Sequence, residues 1–208
     1  MSKAPETSSG GPTLSEVRSI TTEIRMVEKN GKPKICGYGA VFNSRSSVLE
    51  DDTGMQFREI CAPGAFARAL GECDMRGLFN HDKNLILGRM SSGTMQCRED
   101  DTGLYYEIDP PDTSYARDLM ESIKRGDISG SSFSFAVVRD DWGTDSDGMA
   151  LRTLRDVHPF DVGPVAFPAY KATSATMRSL QTFLEARKIT YPTPAQVALL
   201  NQLRLAEI

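Results

Sequence analysis

Short, punctuated runs of strand-forming residues constrain this chain more than any other feature. Residues 17–26 and 35–42 are rich in β-branched and alternating apolar side chains, and they flank Asn30-Gly31-Lys32-Pro33, a turn that predicts a first hairpin. Further runs at residues 75–80, 85–90, 94–98, 104–108, 132–139, 151–157 and 162–166 are set apart by Gly, Asp and Pro. Segments this short cannot bury a face alone, so their number predicts a sheet-dominated barrel or sandwich, mainly β with peripheral helices. Two helices interrupt the series. One covers residues 63–70; the other, Ser114–Arg125, places Ala116, Leu119, Met120 and Ile123 at helical spacing before Gly126 stops it.

A chain of 208 residues suits one compact domain with tails. With 39% hydrophobic and 25% charged residues it has the balance of a soluble globular protein. A net charge of -4 gives no reason to expect nucleic acid, which is usually met by a basic patch. No apolar run approaches the roughly 20 residues that span a bilayer, and the N-terminal segment lacks an apolar signal core, so the expected location is the cytoplasm, away from membranes. The cysteines, Cys36, Cys61, Cys73 and Cys97, form no CxxC pair and read as reduced thiols rather than a metal or redox site.

The ends differ from the middle. Residues 1–14 are rich in Ser, Gly, Pro and Thr without apolar periodicity and read as a disordered arm. After Tyr170 a helix-compatible stretch at 172–188 is followed by Thr190-Tyr191-Pro192-Thr193-Pro194 and a terminal helix at 195–207. Val197, Leu200, Leu203 and Leu205 there suit docking on the chain's own domain or on a second copy. The expected division is an arm at 1–14, a folded domain at 15–180 and a helical appendage at 181–208.

The chain has two histidines, His81 and His158, and histidine is the usual general base at neutral pH. His81 sits where a strand pattern runs into a polar turn, Asn80-His81-Asp82, a place from which a side chain reaches a cleft. Ile128-Ser129-Gly130-Ser131-Ser132-Phe133-Ser134-Phe135 opens an apolar strand, and period two puts Ser132 and Ser134 on the face opposite Phe133 and Phe135. Taken alone, it better suits a Ser/Gly turn feeding an edge strand, because a serine nucleophile also needs a base and an oxyanion site. The acidic run Glu99-Asp100-Asp101 reads as a hairpin turn. Residues 140–148 read as a hairpin connection bordering the substrate groove, without the ligand spacing of an EF-hand.

Several blocks together resemble the prohead protease family of tailed phages and prophages, whose members resemble the herpesvirus assemblins. They are Gly37-Tyr38-Gly39-Ala40-Val41-Phe42-Asn43, Ala62-Pro63-Gly64-Ala65-Phe66, Leu78-Phe79-Asn80-His81-Asp82, Gly130-Ser131-Ser132-Phe133-Ser134-Phe135 and Val162-Gly163-Pro164-Val165-Ala166-Phe167-Pro168-Ala169-Tyr170. Their joint order over about residues 16–180 carries the likeness. Ser131 and Ser134 depart from the commoner Met and Gly of the family.

The resemblance implies an assemblin-like antiparallel β-barrel and a serine endopeptidase that needs no cofactor and no metal. It places the base on His81 and the nucleophile on Ser132. The third member falls on Asp161, at the acidic position before the Val-x-Pro-Val block, with His158 as the alternative nearer the herpesvirus arrangement. Asp161 is preferred because a carboxylate stabilises imidazolium more strongly than a neutral imidazole does. Implied substrates are the major capsid protein's scaffolding arm or the scaffold protein, and finally the enzyme itself, cut inside the assembling procapsid in the host bacterial cytoplasm. Such substrates present extended segments suited to strand addition at a sheet edge, and a homodimer is compatible with the terminal stripe. The rival reading is a catalytically inactive scaffold or capsid-assembly protein with the same fold. A fragment of residues 15–180 is expected to fold and stay soluble; aggregation of that fragment beside a soluble full chain would place the terminal helix in the core.

Overall fold

The computed structural model describes residues 15–21, 24–50 and 54–167, so the expectations for 1–14 and 181–208 lie outside the described residues. In chain order the elements are β1 (Glu16–Thr21), β2 (Arg25–Lys29), β3 (Lys32–Val41), β4 (Leu49–Glu50), β5 (Gln56–Cys61), α1 (Ala67–Glu72), β6 (Arg76–Leu78) and β7 (Ile86–Arg89). β8 (Met95–Glu99), β9 (Gly103–Ile108), α2 (Ser114–Arg125), β10 (Gly130–Thr144) and β11 (Ala150–Val165) complete the series.

The predicted first hairpin forms only in part. β2 and β3 pair antiparallel with Lys29 opposite Lys32, leaving Asn30 and Gly31 at φ 55° and 73° as a two-residue turn of the kind that follows strand twist. The run at 17–26 does not continue into it. Its first half becomes β1, which pairs along its whole length with β10, Ser19 opposite Ser132.

Among the described residues the strands form a seven-stranded sheet, ordered β1-β10-β11-β5-β4 with β6 and β7 beside β11, and a four-stranded sheet, β2-β3-β9-β8. The chain is mainly β with few helices, as expected, but no closed barrel forms among these residues and the pairing is mixed. Both β5 and β6 run parallel to β11, β5 along Ala150–Leu154 and β6 at Asp161 and Val162. The other strand pairings are antiparallel, and these two are parallel because the segment between β5 and β6 keeps the chain on one edge of β11. Ala62 N donates to Leu154 O, Val157 N donates to Ala65 O, and α1 fills the gap before β6 resumes the edge in the same direction.

The two sheets and both helices share one core. Ile35, Met95, Leu104, Tyr106 and Ile108 from the smaller sheet meet Phe133, Phe135, Leu154, Val157 and Val162 from the larger, with Phe66 and the buried face of α2 closing the ends. Phe133 lies between Phe66 and Phe135, with ring centroids 5.4 and 4.7 Å away. α2 matches its predicted limits and ends on Gly126 at φ 81°, the left-handed stop that glycine adopts without a Cβ penalty.

Charge is also buried. Arg18 of β1 donates to Glu59 of β5 at 2.7 Å and to Glu16 at 2.6 Å, and Arg152 of β11 reaches Glu16 at 2.9 Å, Glu59 at 3.1 Å and Asp140 of β10 at 2.6 Å. Burial alone lowers the basicity of Arg18 and Arg152, but the Glu59 and Glu16 carboxylates outweigh it and hold both above the usual arginine value. The cluster ties β1, β5, β10 and β11 together. Arg152→Ala removes one of its two guanidinium groups and is expected to cost about 3–5 kcal/mol. A urea midpoint unchanged from the wild type contradicts that expectation.

Candidate active site

β10 carries Ser131, Ser132 and Ser134 in one extended run, and the pleat separates them. Ser131 turns toward the core, where its Oγ donates to Tyr106 Oη at 3.1 Å. Ser132 and Ser134 share the other face, as period two requires. Ser129 is exposed and precedes the strand. Of these four, Ser132 is the one whose Oγ reaches His81, at 2.6 Å from Nε2.

His81 arrives from the turn between β6 and β7. Leu78 pairs at the end of β6, and Asn80 and His81 then both adopt left-handed backbone, φ 54° and 57°, which is uncommon for two successive non-glycine residues. Asn80 holds them there: its N donates to Pro164 O at 3.0 Å and its Oδ1 accepts from Ala166 N at 2.9 Å, so the turn is pinned to the end of β11. Gly163, opposite Ser132 in the sheet, lets the Leu78 backbone lie against β11; a Cβ there would stand 2.1 Å from Leu78 O.

Asp161 comes from β11 and pairs with Ser134. The next pair is Phe135 with Pro159, so Phe160 is a bulge residue. The bulge breaks strict alternation, sending Pro159 inward while Asp161 projects beside Ser134. It also accommodates a proline inside a paired strand. Asp161 Oδ1 lies 2.5 Å from His81 Nδ1, and its Oδ2 accepts from Ser134 Oγ.

These contacts fix a tautomer. An ionised carboxylate only accepts, so the proton on the imidazole belongs at Nδ1, which leaves the Nε2 lone pair facing Ser132 Oγ. Ser132 Oγ is also 2.8 Å from Arg18 O and receives a hydrogen bond from Ser19 Oγ at 2.9 Å. Ser132 is fully buried and Asp161 nearly so, whereas 23% of the His81 side chain is exposed. Beside Asp161 a cleft of about 600 Å³ opens between Leu78, Lys83, Ile86, His158 and Phe160.

His158 does not join this group. It pairs opposite Ala136 on the bulged stretch of β11 and its Nδ1 lies 3.2 Å from Cys73 Sγ. Burial raises the Cys73 thiol above its ordinary pKa, which favours the neutral thiol over the reactive thiolate. Burial likewise pushes Cys97 up to about 12. Among the described residues no three His, Cys, Asp or Glu side chains are placed to hold a metal ion. Arg89 pairs with Asp74 at 2.5 Å. The 140–148 segment closes the β10–β11 hairpin at the end opposite Ser132, with Asp145 held by Arg58 at 2.6 Å, so it does not border this group.

The sequence profile of Caudovirus prohead serine proteases matches residues 20–186. The chain belongs to this family. Comparison with curated proteins returns no match. A solved structure of the bacteriophage T4 capsid assembly protease, gp21, is similar over 74% of this chain and 97% of that one, at 14% identity and a TM-score of 0.44. The profile match takes in all of the residues that meet at this candidate site except Arg18 and Ser19, which lie just before it.

Sequence patterns missed the parts that act through the backbone. Arg18 O and Ser19 reach Ser132 only because β1 pairs with β10, and Asn80 matters through one side-chain acceptor at a left-handed turn. A His flanked by Asn at a strand end was the available signal. Gly163→Ala is expected to force Leu78 and the His81 turn away from β11, costing about 1–3 kcal/mol as an overpacked contact. Urea unfolding measures the loss, and a crystal structure of the variant should show the His81–Ser132 contact lengthened.

Proposed function

We propose that this chain is a serine endopeptidase that matures tailed-phage procapsids, with Ser132 as nucleophile, His81 as general base and Asp161 as the group that orients and stabilises His81. The observation that carries the reading is the imidazole bridging Ser132 Oγ at 2.6 Å and the Asp161 carboxylate at 2.5 Å. Family membership supplies the context.

Ser132 Oγ attacks the scissile carbonyl carbon as its proton passes to His81 Nε2. Asp161 then faces an imidazolium held at Nδ1 and stabilises it without taking the proton. Collapse of the tetrahedral adduct breaks the C–N bond, and the leaving amine takes the proton from Nε2. Water repeats the sequence on the acyl-enzyme: it gives a proton to Nε2 as it attacks, and the departing Ser132 Oγ takes that proton back. Because Ser132 is fully buried in this conformation, its Oγ must be uncovered before a substrate carbonyl can reach it.

The substrates are the scaffolding arm of the capsid protein or the scaffold, and the enzyme itself, encountered as extended segments inside the assembling procapsid in the host cytoplasm. The catalytic domain is residues 15–180, and the flanking segments serve as handles for packaging or as self-processing sites. In the herpesvirus arrangement His158 would hold the third position; the contact of His158 with Cys73 and that of His81 Nδ1 with Asp161 favour Asp161.

Co-expression with the neighbouring capsid gene, followed by mass-spectrometric mapping of new termini, tests activity and substrate together. Ser132→Ala and His81→Ala should each abolish cleavage, a loss of about 10⁴-fold or more. Asp161→Asn should keep the fold and lower the rate by about 10³–10⁴-fold, since an amide stabilises the wrong tautomer. Ser131→Ala, Ser129→Ala and His158→Ala should still cleave. A wild type that leaves both itself and the capsid protein intact supports the inactive assembly protein instead.

A further inference from the structure

We propose that Ser134 is a positioning residue that fixes the Asp161 carboxylate for its contact with His81. The proposal rests on the triad assignment above. Ser134 and Asp161 are directly opposed in the β10–β11 ladder, and both are buried, at 5% and 9% exposure. The carboxylate divides its two oxygens between two donors: Oδ1 takes His81 Nδ1 and Oδ2 takes Ser134 Oγ.

A carboxylate held at one oxygen can still rotate about its last torsion, whose energy profile is broad. A second donor on the other oxygen removes that freedom. Here the donor sits on the strand that also carries Ser132, two residues away and on the same face. One stretch of β10 therefore holds both ends of the chain Ser132, His81, Asp161, Ser134. The bulge at Phe160 points the same way, because it turns Asp161 onto the Ser134 face while Pro159 goes to the core with Phe135. The Ser134 hydroxyl has no other hydrogen-bonded partner among the described residues, and it is not needed to fill the core on the opposite face.

The test uses the full chain. The His81 Nδ1 proton, bonded to a carboxylate, gives a far-downfield resonance in the proton NMR spectrum of ¹⁵N-histidine-labelled protein, identified by its loss in His81→Ala. A fluorophosphonate probe reports the nucleophile independently of any peptide: Ser132 Oγ bonds to phosphorus, fluoride leaves, and His81 takes the proton. Ser134→Ala is expected to shift or broaden the Nδ1 resonance and to lower the maximal labelling rate by about 10–100-fold with little change in probe affinity. Ser134→Thr, which keeps the hydroxyl, should restore both. Should Ser134→Ala fail to fold, Ser134→Cys, near in size and a weak donor, should show the same changes in part.

An Nδ1 resonance and a labelling rate unchanged in a folded Ser134→Ala or Ser134→Cys protein overturn the proposal. So does failure of Ser134→Thr to restore them. If the wild type is not labelled at all, the nucleophile assignment fails, and the Nδ1 resonance alone then decides whether Ser134 positions Asp161.

Discussion

The antiparallel ladder between β10 and β11 governs the rest of the molecule. It runs from Gly130 opposite Val165 to Thr144 opposite Ala150; β1, β5 and β6 pair directly with one of these two strands, and β4 and β7 join the larger sheet through β5 and β6. At one end it sets Ser132 opposite Gly163 and Ser134 opposite Asp161. A slip of one residue in this register would turn every side chain to the wrong face. The slip is prevented by what each face meets. Phe133, Phe135, Leu154, Val157 and Val162 must enter the core, and Arg152 must reach Glu16, Glu59 and Asp140. Hydrophobic burial on one side and ion pairing farther along thus hold the site geometry without either touching His81.

The buried charges deserve comparison with an apolar core of the same volume. Removing two guanidinium groups and their carboxylates from water is costly, and well-packed hydrophobic residues in such places are often as stable or more so. What ionic pairing adds is selectivity of partner. Leu or Val on β1 would pack beside many strands, whereas Arg18 and Glu16 are stable only where Glu59 and Arg152 await them. β1 is an edge strand with six paired positions, and the cluster specifies both its partner and its register, Ser19 opposite Ser132.

Local rules made much of this legible. The Asn30-Gly31 turn, the limits of α2 and the strands at 94–98 and 104–108 follow from turn chemistry and periodicity that the tertiary structure does not override. Residues 17–26 read as one strand but form two, because the pairing of β1 with β10 depends on charges far away in sequence. β5 went unpredicted: Gln56, Arg58 and Glu59 disguise a strand whose charged residues find ion pairs. Leu151 to Val165 reads as two strands broken at Pro159, yet it is one, since the bulge at Phe160 absorbs the proline. Parallel pairing of β5 and β6 with β11 depends on the path through α1, which no local pattern encodes. At the site, residue types and the family likeness pointed to His81, Ser132 and Asp161. The second hydrogen bond of Asp161 and the approach of β1 to Ser132 needed the three-dimensional register.

That approach has a chemical consequence. A hydroxyl has one proton, and Ser132 Oγ faces two acceptors, Arg18 O at 2.8 Å and His81 Nε2 at 2.6 Å, while Ser19 Oγ donates to it at 2.9 Å. Donating to Arg18 O, the serine is a resting hydroxyl; in the proposed mechanism it turns its proton to Nε2 to be deprotonated. Arg18 O is fixed by β1, and β1 is tied down by Arg18's own side chain through Glu16 and Glu59. Stripping β1 away to expose Ser132 would therefore break buried ion pairs, at a cost of several kcal/mol. The His81 side is held by the Asn80 hydrogen bonds and the Asp161 contact rather than by the buried ion cluster; the imidazole is partly exposed, and the neighbouring cleft is already open. Access from that side leaves the ion cluster intact, and it moves the group whose distance to Ser132 decides where the single proton goes.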